Sequence, residues 1–233
     1  LKRQQAMEED VKQAREIQQI LIPEKLPNLP GWTIDSEYRP ARQVGGDFFQ
    51  VMPEADGSLL IVVGDVSGKG LKAAMTVSAI VGALRDSQKR RPAQVLAHLN
   101  RVLCGQIGGF VTCSATLISE DGAIAIANAG HLPPYRNGEE LPVANSLPLG
   151  VSAEVSYDEK HFNLAPGDRV VFVSDGVAEA RDSKGELLGF DRMAALIGQS
   201  ATAIAEAAQR WGQEDDITVL AIERAAAMQP APV

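Results

Sequence analysis

Apolar residues recur along this chain in three rhythms, and each rhythm predicts a different kind of element. Met7, Val11, Ala14, Gln18 and Leu21 step by four and three through a segment rich in Gln, Glu, Lys and Ala, the heptad-like stripe of a helix over residues 1–22. About three heptads are marginal as an isolated helix in water. The stripe therefore either docks on its own domain or pairs with a second copy as a coiled-coil linker. Pro23, Pro27 and Pro30 end the helix and predict an extended connector.

Past Gly31 the rhythm shortens to two. Trp32, Ile34 and Tyr38 alternate, Phe48 to Met52 is apolar, and Leu59 to Val63 is apolar throughout after the Asp56-Gly57 turn. Three strands in succession predict an antiparallel start. A wide apolar helical face then covers Leu71 to Gln88. A second helix is expected from about Pro92, with Val95, Leu96, Leu99, Val102 and Leu103 at helical spacing and Pro in the first turn. Strands return at 110–118 and 123–129 across Asp121-Gly122, and again near 134–141, where Asn137-Gly138 predicts a tight hairpin. Residues 155–164 and 169–174 are expected to pair around Pro166-Gly167-Asp168. An Ala-rich helical stretch follows at roughly 191–211, and a last strand at 217–222. Strand runs interrupted by helix pairs predict an α+β fold of two packed antiparallel sheets with helices outside. The chain divides into a helical linker and connector over 1–30, one main domain over 31–224, and a frayed Ala- and Pro-rich tail over 225–233.

At 233 residues the chain can bury the core of one full catalytic domain. A net charge of -8, with no basic patch to displace phosphate counterions, argues against nucleic acid as the main partner. The 2 cysteines, Cys104 and Cys113, have no CxxC spacing, and no histidines cluster, so neither a disulfide framework nor structural zinc is indicated and a cytoplasmic location is expected. No apolar run reaches about 18 residues, so no membrane span is expected. Because the sequence opens on Leu1, it is expected to be a piece of a longer protein.

Four short motifs carry the candidate chemistry: Val-Gly-Gly-Asp at 44–47, Gly-Asp-Val-Ser-Gly-Lys-Gly at 64–70, Ser-Asp-Gly at 174–176 and Glu-Asp-Asp-Ile-Thr at 214–218. Any one of them alone reads more readily as a turn. As a set, three of them bordering apolar strand runs, they predict that Asp47, Asp65, Asp175 and Asp215 or Asp216 converge on one sheet edge. Oxygen-only ligands suit Mg²⁺ or Mn²⁺ and not zinc. A bridging carboxylate can hold two such ions, a device suited to phosphoester hydrolysis. Gly-Lys-Gly at 68–70 lacks the Ser or Thr of a P-loop, which argues against nucleotide binding by that route.

The strings Arg-Gln-Val-Gly-Gly-Asp-Phe-Phe, Gly-Asp-Val-Ser-Gly-Lys-Gly-Leu-Lys-Ala-Ala-Met, Asn-Ala-Gly-His-Leu-Pro-Pro, Ser-Asp-Gly-Val-Ala-Glu-Ala and Glu-Asp-Asp-Ile-Thr-Val-Leu occur in that order over about residues 14–224. Together they resemble the sporulation stage II protein E (SpoIIE-type) branch of the PPM, or type 2C, metal-dependent protein phosphatases. The resemblance implies a four-layer αββα sandwich and hydrolysis of phosphoserine or phosphothreonine with two Mn²⁺ or Mg²⁺ ions. By resemblance, Asp65 bridges the metals with the Val66 carbonyl beside it, Asp175 and Asp215 complete one metal, and Asp47 serves the other. Asp216 falls where the wider fold often has Asn, so Asp215 is the preferred ligand. Arg42 resembles in spacing an arginine that grips phosphate in eukaryotic members, although a solvated surface role fits it equally. Lys69 has the same two readings. His131 is a candidate general acid or, more in keeping with its Gly- and Pro-rich surroundings, a group that hydrogen-bonds a turn. Two departures stand out: the stretch between Phe190 and Gln213 is short, and Gln50 replaces an acidic residue. The implied substrate is a phosphorylated anti-sigma-factor antagonist, with an upstream sensory or receiver domain and a homodimer formed through the N-terminal helix. The alternatives are a catalytically silent scaffold of the same fold and a small-molecule phosphatase.

Overall fold

The structure, a computed structural model, describes residues 15, 16, 20, 21, 23 and 25–226. Most of the predicted linker helix and the last seven residues lie outside the described residues. Ile20 and Leu21, at the end of the predicted helix, are helical.

Among the described residues, ten strands form two antiparallel five-stranded sheets. One sheet has the order β1 (Trp32–Arg39), β10 (Ile217–Arg224), β9 (Arg169–Val173), β6 (Tyr135–Arg136) and β7 (Glu139–Glu140). The other has the order β2 (Asp47–Pro53), β3 (Leu59–Val66), β4 (Val111–Ile118), β5 (Ala123–Ala129) and β8 (Glu159–Asn163). Helices α1 (Leu71–Asp86) and α2 (Pro92–Leu103) cover the second sheet. Helices α3 (Asp175–Ala178), α4 (Gly189–Leu196) and α5 (Ala201–Gly212) cover the first.

Alternation along the strands explains the layering, because successive side chains point to opposite faces. On β3, Leu60 and Val62 join the core under α1 and α2, while Leu59, Ile61 and Val63 join the core between the sheets. On β10, Val219 and Ala221 meet the helices, and Leu220 and Ile222 meet the opposite sheet. A strand buried on both faces is apolar at every position, which is why Leu59 to Val63 shows no polar rhythm. The result is the expected α+β sandwich in four layers, helix, sheet, sheet, helix.

Strand partners differ from the sequence expectation in two places. β1 does not open an antiparallel run with β2; it crosses to pair with β10 along its whole length, from Trp32 opposite Arg224 to Arg39 opposite Ile217. β8 and β9 flank the Pro166-Gly167-Asp168 turn but do not pair with each other: β8 pairs with β5 and β9 with β10. The turn carries the chain from one sheet to the other, and Gly167 donates its N–H to the Arg224 carbonyl rather than closing a hairpin. The Asn137-Gly138 hairpin does form, with both residues at positive φ, 52° and 92°, as its tight turn requires. The Ala-rich stretch is two helices, with Ser200 capping α5 by accepting the Ala203 N–H.

Candidate active site

All four acidic motifs come together at one end of the seam between the sheets. Asp47 begins β2 and lies opposite Asp65 in the β2–β3 register. Asp175 opens α3 directly after β9, and Asp215 and Asp216 lead into β10. One pair of carboxylates therefore comes from each sheet, plus Asp216.

Hydrogen bonds across the seam fix this arrangement. Thr218 Oγ1 donates to Asp47 Oδ2 at 2.6 Å, a fully buried bond from β10 to β2. Asp216 Oδ2 accepts the Gly46 N–H at 2.6 Å and Oδ1 accepts the Ala41 N–H at 2.8 Å, so its carboxylate suspends the loop that leads to Asp47. Ser174 Oγ donates to the Asp216 carbonyl at 3.1 Å and accepts the Thr218 N–H at 2.9 Å, which holds the start of α3 against β10. Two glycines permit the close approach. A Cβ on Gly46 would lie 2.7 Å from the Val66 carbonyl oxygen and 3.0 Å from Asp65 Oδ1, and one on Gly176 would collide with the Asp216 carbonyl.

The electrostatics are those of negative charge gathered with only partial compensation. Burial, and then the charges of Asp175, Asp215 and Asp216, push the Asp65 carboxyl up to about 7. Burial and then Glu179 and Asp215 raise Asp175, while burial and then Asp65 raise Asp47 well above the carboxylate range. Tyr38 is half-buried nearby with its hydroxyl enclosed and unpartnered, and burial followed by Asp216, Asp47 and Asp65 raises its pKa. A cation in this cluster would relieve that repulsion. Lys69 supplies part of one, its Nζ lying 2.7 Å from Asp215 Oδ2 and 3.2 Å from the Glu214 carbonyl.

Among the described residues, no three Asp, Glu, His or Cys side chains are drawn tightly enough together to hold an ion by themselves. The hydrogen bonds account for this: Asp215 is paired with Lys69, Asp47 with Thr218, and Asp216 with backbone N–H groups. The donor set is nonetheless all oxygen, with the Val66 carbonyl beside Asp65 and Gly46, and hard cations commonly keep water in part of their shell. The residues present fit Mg²⁺ or Mn²⁺ on those grounds.

The remaining candidates are placed differently. Arg42 is exposed on the loop anchored by Asp216, and its guanidinium makes no hydrogen bond or ion pair among the described residues. His131 is buried, its Nδ1 3.1 Å from Thr112 Oγ1, while its main chain exchanges bonds with the Asn128 side chain at 2.9 and 2.8 Å. Thr112 lies opposite Asp65 in the β3–β4 register, so His131 stands one residue removed from the carboxylates. Burial pushes its pKa down to about 4, and it is neutral at physiological pH. Gln50, buried on β2, donates to the Leu21 carbonyl at 2.7 Å and ties the end of the N-terminal helix to this sheet. Thr218 and Ser174 sit inside the acidic motifs as positioning groups and Tyr38 lies on β1, none of them a ligand candidate by sequence. The available signal was a lone polar residue within or beside an apolar strand run.

The sequence profile of Stage II sporulation protein E (SpoIIE) matches residues 55–225. The chain is 31% identical over 194 residues to phosphoserine phosphatase RsbU of Bacillus subtilis (strain 168), covering 79% of this chain and 58% of that protein. Its structure superposes on the RsbU and RsbW domains of Rv1364c from Mycobacterium tuberculosis with a TM-score of 0.76 at 27% identity, covering 90% of this chain and 64% of that one. The SiaA-PP2C domain of Pseudomonas aeruginosa matches at 24% identity and a TM-score of 0.77, covering 94% and 97% of the two chains, and shares the fold. The chain thus spans less than two thirds of RsbU and of the Rv1364c structure. With the profile match covering most of the described residues and the acidic motifs meeting at one seam of the sandwich, this chain belongs to the Stage II sporulation protein E (SpoIIE) family.

Proposed function

We propose that the chain is a metal-dependent protein serine/threonine phosphatase domain that hydrolyses a phosphoserine or phosphothreonine, with a phosphorylated anti-sigma-factor antagonist as its substrate. One observation carries this reading: Asp47 and Asp65 from one sheet meet Asp175 and Asp215 from the other, in a chain 31% identical to a protein named a phosphoserine phosphatase. Two Mn²⁺ or Mg²⁺ ions would be held by Asp65, Asp175, Asp215 and the Val66 carbonyl, with Asp47 serving the second. The chemistry such ions supply when bound is activation of water for in-line attack on phosphorus and neutralisation of phosphoryl charge.

The chain's own groups prepare the site. Thr218 and the Asp216-anchored loop hold Asp47 in place before any ligand arrives, so little reorganisation is needed on binding. Lys69 offsets the charge of Asp215 and stands at the rim, where it can meet an incoming phosphate. Arg42 has a free guanidinium on the anchored loop and fits the same anionic ligand. His131, buried and with its pKa lowered by burial, orders the turn behind Thr112, which supports a structural part in the site over proton donation to the leaving alkoxide.

The test is hydrolysis of p-nitrophenyl phosphate and of a phosphoserine protein with Mn²⁺, with Mg²⁺ and with EDTA, for the wild-type chain, Asp65→Asn and Asp175→Asn. Metal-dependent turnover abolished by either substitution supports the phosphatase; the absence of turnover with every metal and both substrates counts against it.

The N-terminal helix is the proposed route of control by an upstream sensory or receiver domain and the proposed dimer contact. Its support is the heptad stripe and the tie from Gln50 to Leu21 on the strand that begins with Asp47. Deleting residues 1–22 should change oligomeric state or turnover, and a deletion that changed neither would remove this part of the proposal.

A further inference from the structure

Beside the carboxylates a cleft of ≈ 180 Å³ opens between the start of α1 and the loop before β4. Lys69, Lys72 and Thr76 line one wall, and Ile107, Gly108 and Phe110 line the other. It begins at Val66, next to Asp65, so it is continuous with the candidate active site. In a chain of net charge -8 its charge is inverted: both ionisable residues lining it are lysines, and no acidic side chain among the described residues lines it. Lys69 is committed to Asp215, but the Lys72 ammonium has no partner among the described residues. It reaches across the cleft to the glycine loop, where a Cβ on Gly108 would lie 2.9 Å from Lys72 Nζ. Phe110 on the far wall is 43% exposed, and Leu71 and Met75, one residue before Lys72 and Thr76 on α1, are 42% and 65% exposed. A free cation with apolar neighbours and bare glycine backbone is suited to extended polypeptide.

We propose that this cleft seats the polypeptide adjoining the phosphorylated side chain, and that Lys72 selects an acidic residue in that segment. The inference rests on the phosphatase reading above and adds a specificity determinant to it. An ion pair at a partly exposed position is worth a modest factor, so the selection is a preference of a few-fold and not an absolute requirement.

The test uses phosphoserine peptides identical except for Glu or Gln at each position flanking the phosphoserine, assayed with Mn²⁺ for the wild-type chain, Lys72→Ala, Lys72→Glu and Lys72→Arg. At one flanking position the wild-type kcat/KM for the Glu peptide should exceed that for the Gln peptide by about five-fold, mainly through KM. Lys72→Ala should abolish the ratio, Lys72→Glu should invert it, and Lys72→Arg should preserve it. Lys72 is exposed, so these variants are expected to fold. A wild-type ratio near one at every position overturns the proposal. So does a ratio that survives Lys72→Ala, or an equal fall on both peptides, which would place Lys72 on the phosphate itself. If the wild type turned over neither the peptides nor p-nitrophenyl phosphate with any metal, the phosphatase reading would fall and this inference with it; turnover without charge preference sinks the inference alone.

Discussion

Asp216 Oδ2 accepts the backbone N–H of Gly46 at 2.6 Å, joining residues 170 positions apart in sequence. Its neighbour Asp215 points the other way, to Lys69. Two adjacent aspartates thus have different tasks: one supports the loop entering β2, and the other remains at the solvent-facing rim. Asp216 is buried with both oxygens held by loop N–H groups, whereas Asp215, 38% exposed, accepts the Asp216 N–H at Oδ1 and pairs with Lys69 through Oδ2, a partner that a cation could replace.

Asp216→Ala should strand the N–H groups of Ala41 and Gly46 and the more weakly held N–H of Asp47. Loss of these hydrogen bonds to a buried acceptor is expected to cost about 3 kcal/mol, and Asp216→Asn, which keeps one acceptor oxygen, about half of that. Urea unfolding measures both. A midpoint unchanged in Asp216→Ala would remove the suspension role.

Asp65 gives a pH signature in metal-free protein. Its carboxyl titrates at about 7 in the folded chain against 3.8 as a free side chain, so between those values the folded state binds more protons than the unfolded one. The stability it allows at low pH is therefore lost as pH rises through that window. Asp65→Asn removes the loss. In EDTA the variant should gain stability relative to wild type on going from about pH 5 to about pH 8. His131 has the opposite sign: its pKa is lowered from 6.5 to about 4, so its contribution is lost as pH falls. Both proteins carry His131, and it cancels in the difference. A pH-independent difference would mean that Asp65 titrates normally.

Lys69→Ala breaks an ion pair whose partners are 41% and 38% exposed, and its effect on stability should stay below about 1 kcal/mol. Its effect on cation binding should be larger, because the ammonium competes for Asp215 Oδ2. Calorimetric titration with Mn²⁺ is expected to show binding tightened several-fold. Weakened binding would instead mean that Lys69 organises Asp215 for its ligand.

His131→Ala should reduce stability by about 2 kcal/mol through the cavity it leaves. The pH–rate profile on p-nitrophenyl phosphate should keep its shape, because the imidazole is neutral and buried throughout the working range. Loss of one limb of the profile would restore His131 as a proton donor.

Much of this architecture was legible in sequence because its signals are local. The apolar run at Leu59 to Val63, the Asn137-Gly138 hairpin, the Pro92 helix start and the acid-rich strand ends each reflect chemistry within a few residues. Strand partners were not legible. A turn signal such as Pro166-Gly167-Asp168 reports that the chain reverses, not which sheet receives it, and here the reversal crosses from one sheet to the other. Nor could spacing separate Asp215 from Asp216, since their difference lies in contacts with residues 41–47 and 69. Thr218 gave the least warning, because a Thr inside an apolar strand is common and its partner, Asp47, lies 171 residues away.

The Asp47–Thr218 bond has a consequence for how the chain matures. Strand β2 and strand β10 belong to separate sheets, and the acidic groups are divided between them. On the proposed reading neither sheet alone carries the full set of donors, so the binding centre would be complete only once the two sheets have docked. An ion bound across the seam would clasp the two halves of the sandwich and, by mass action, oppose their separation.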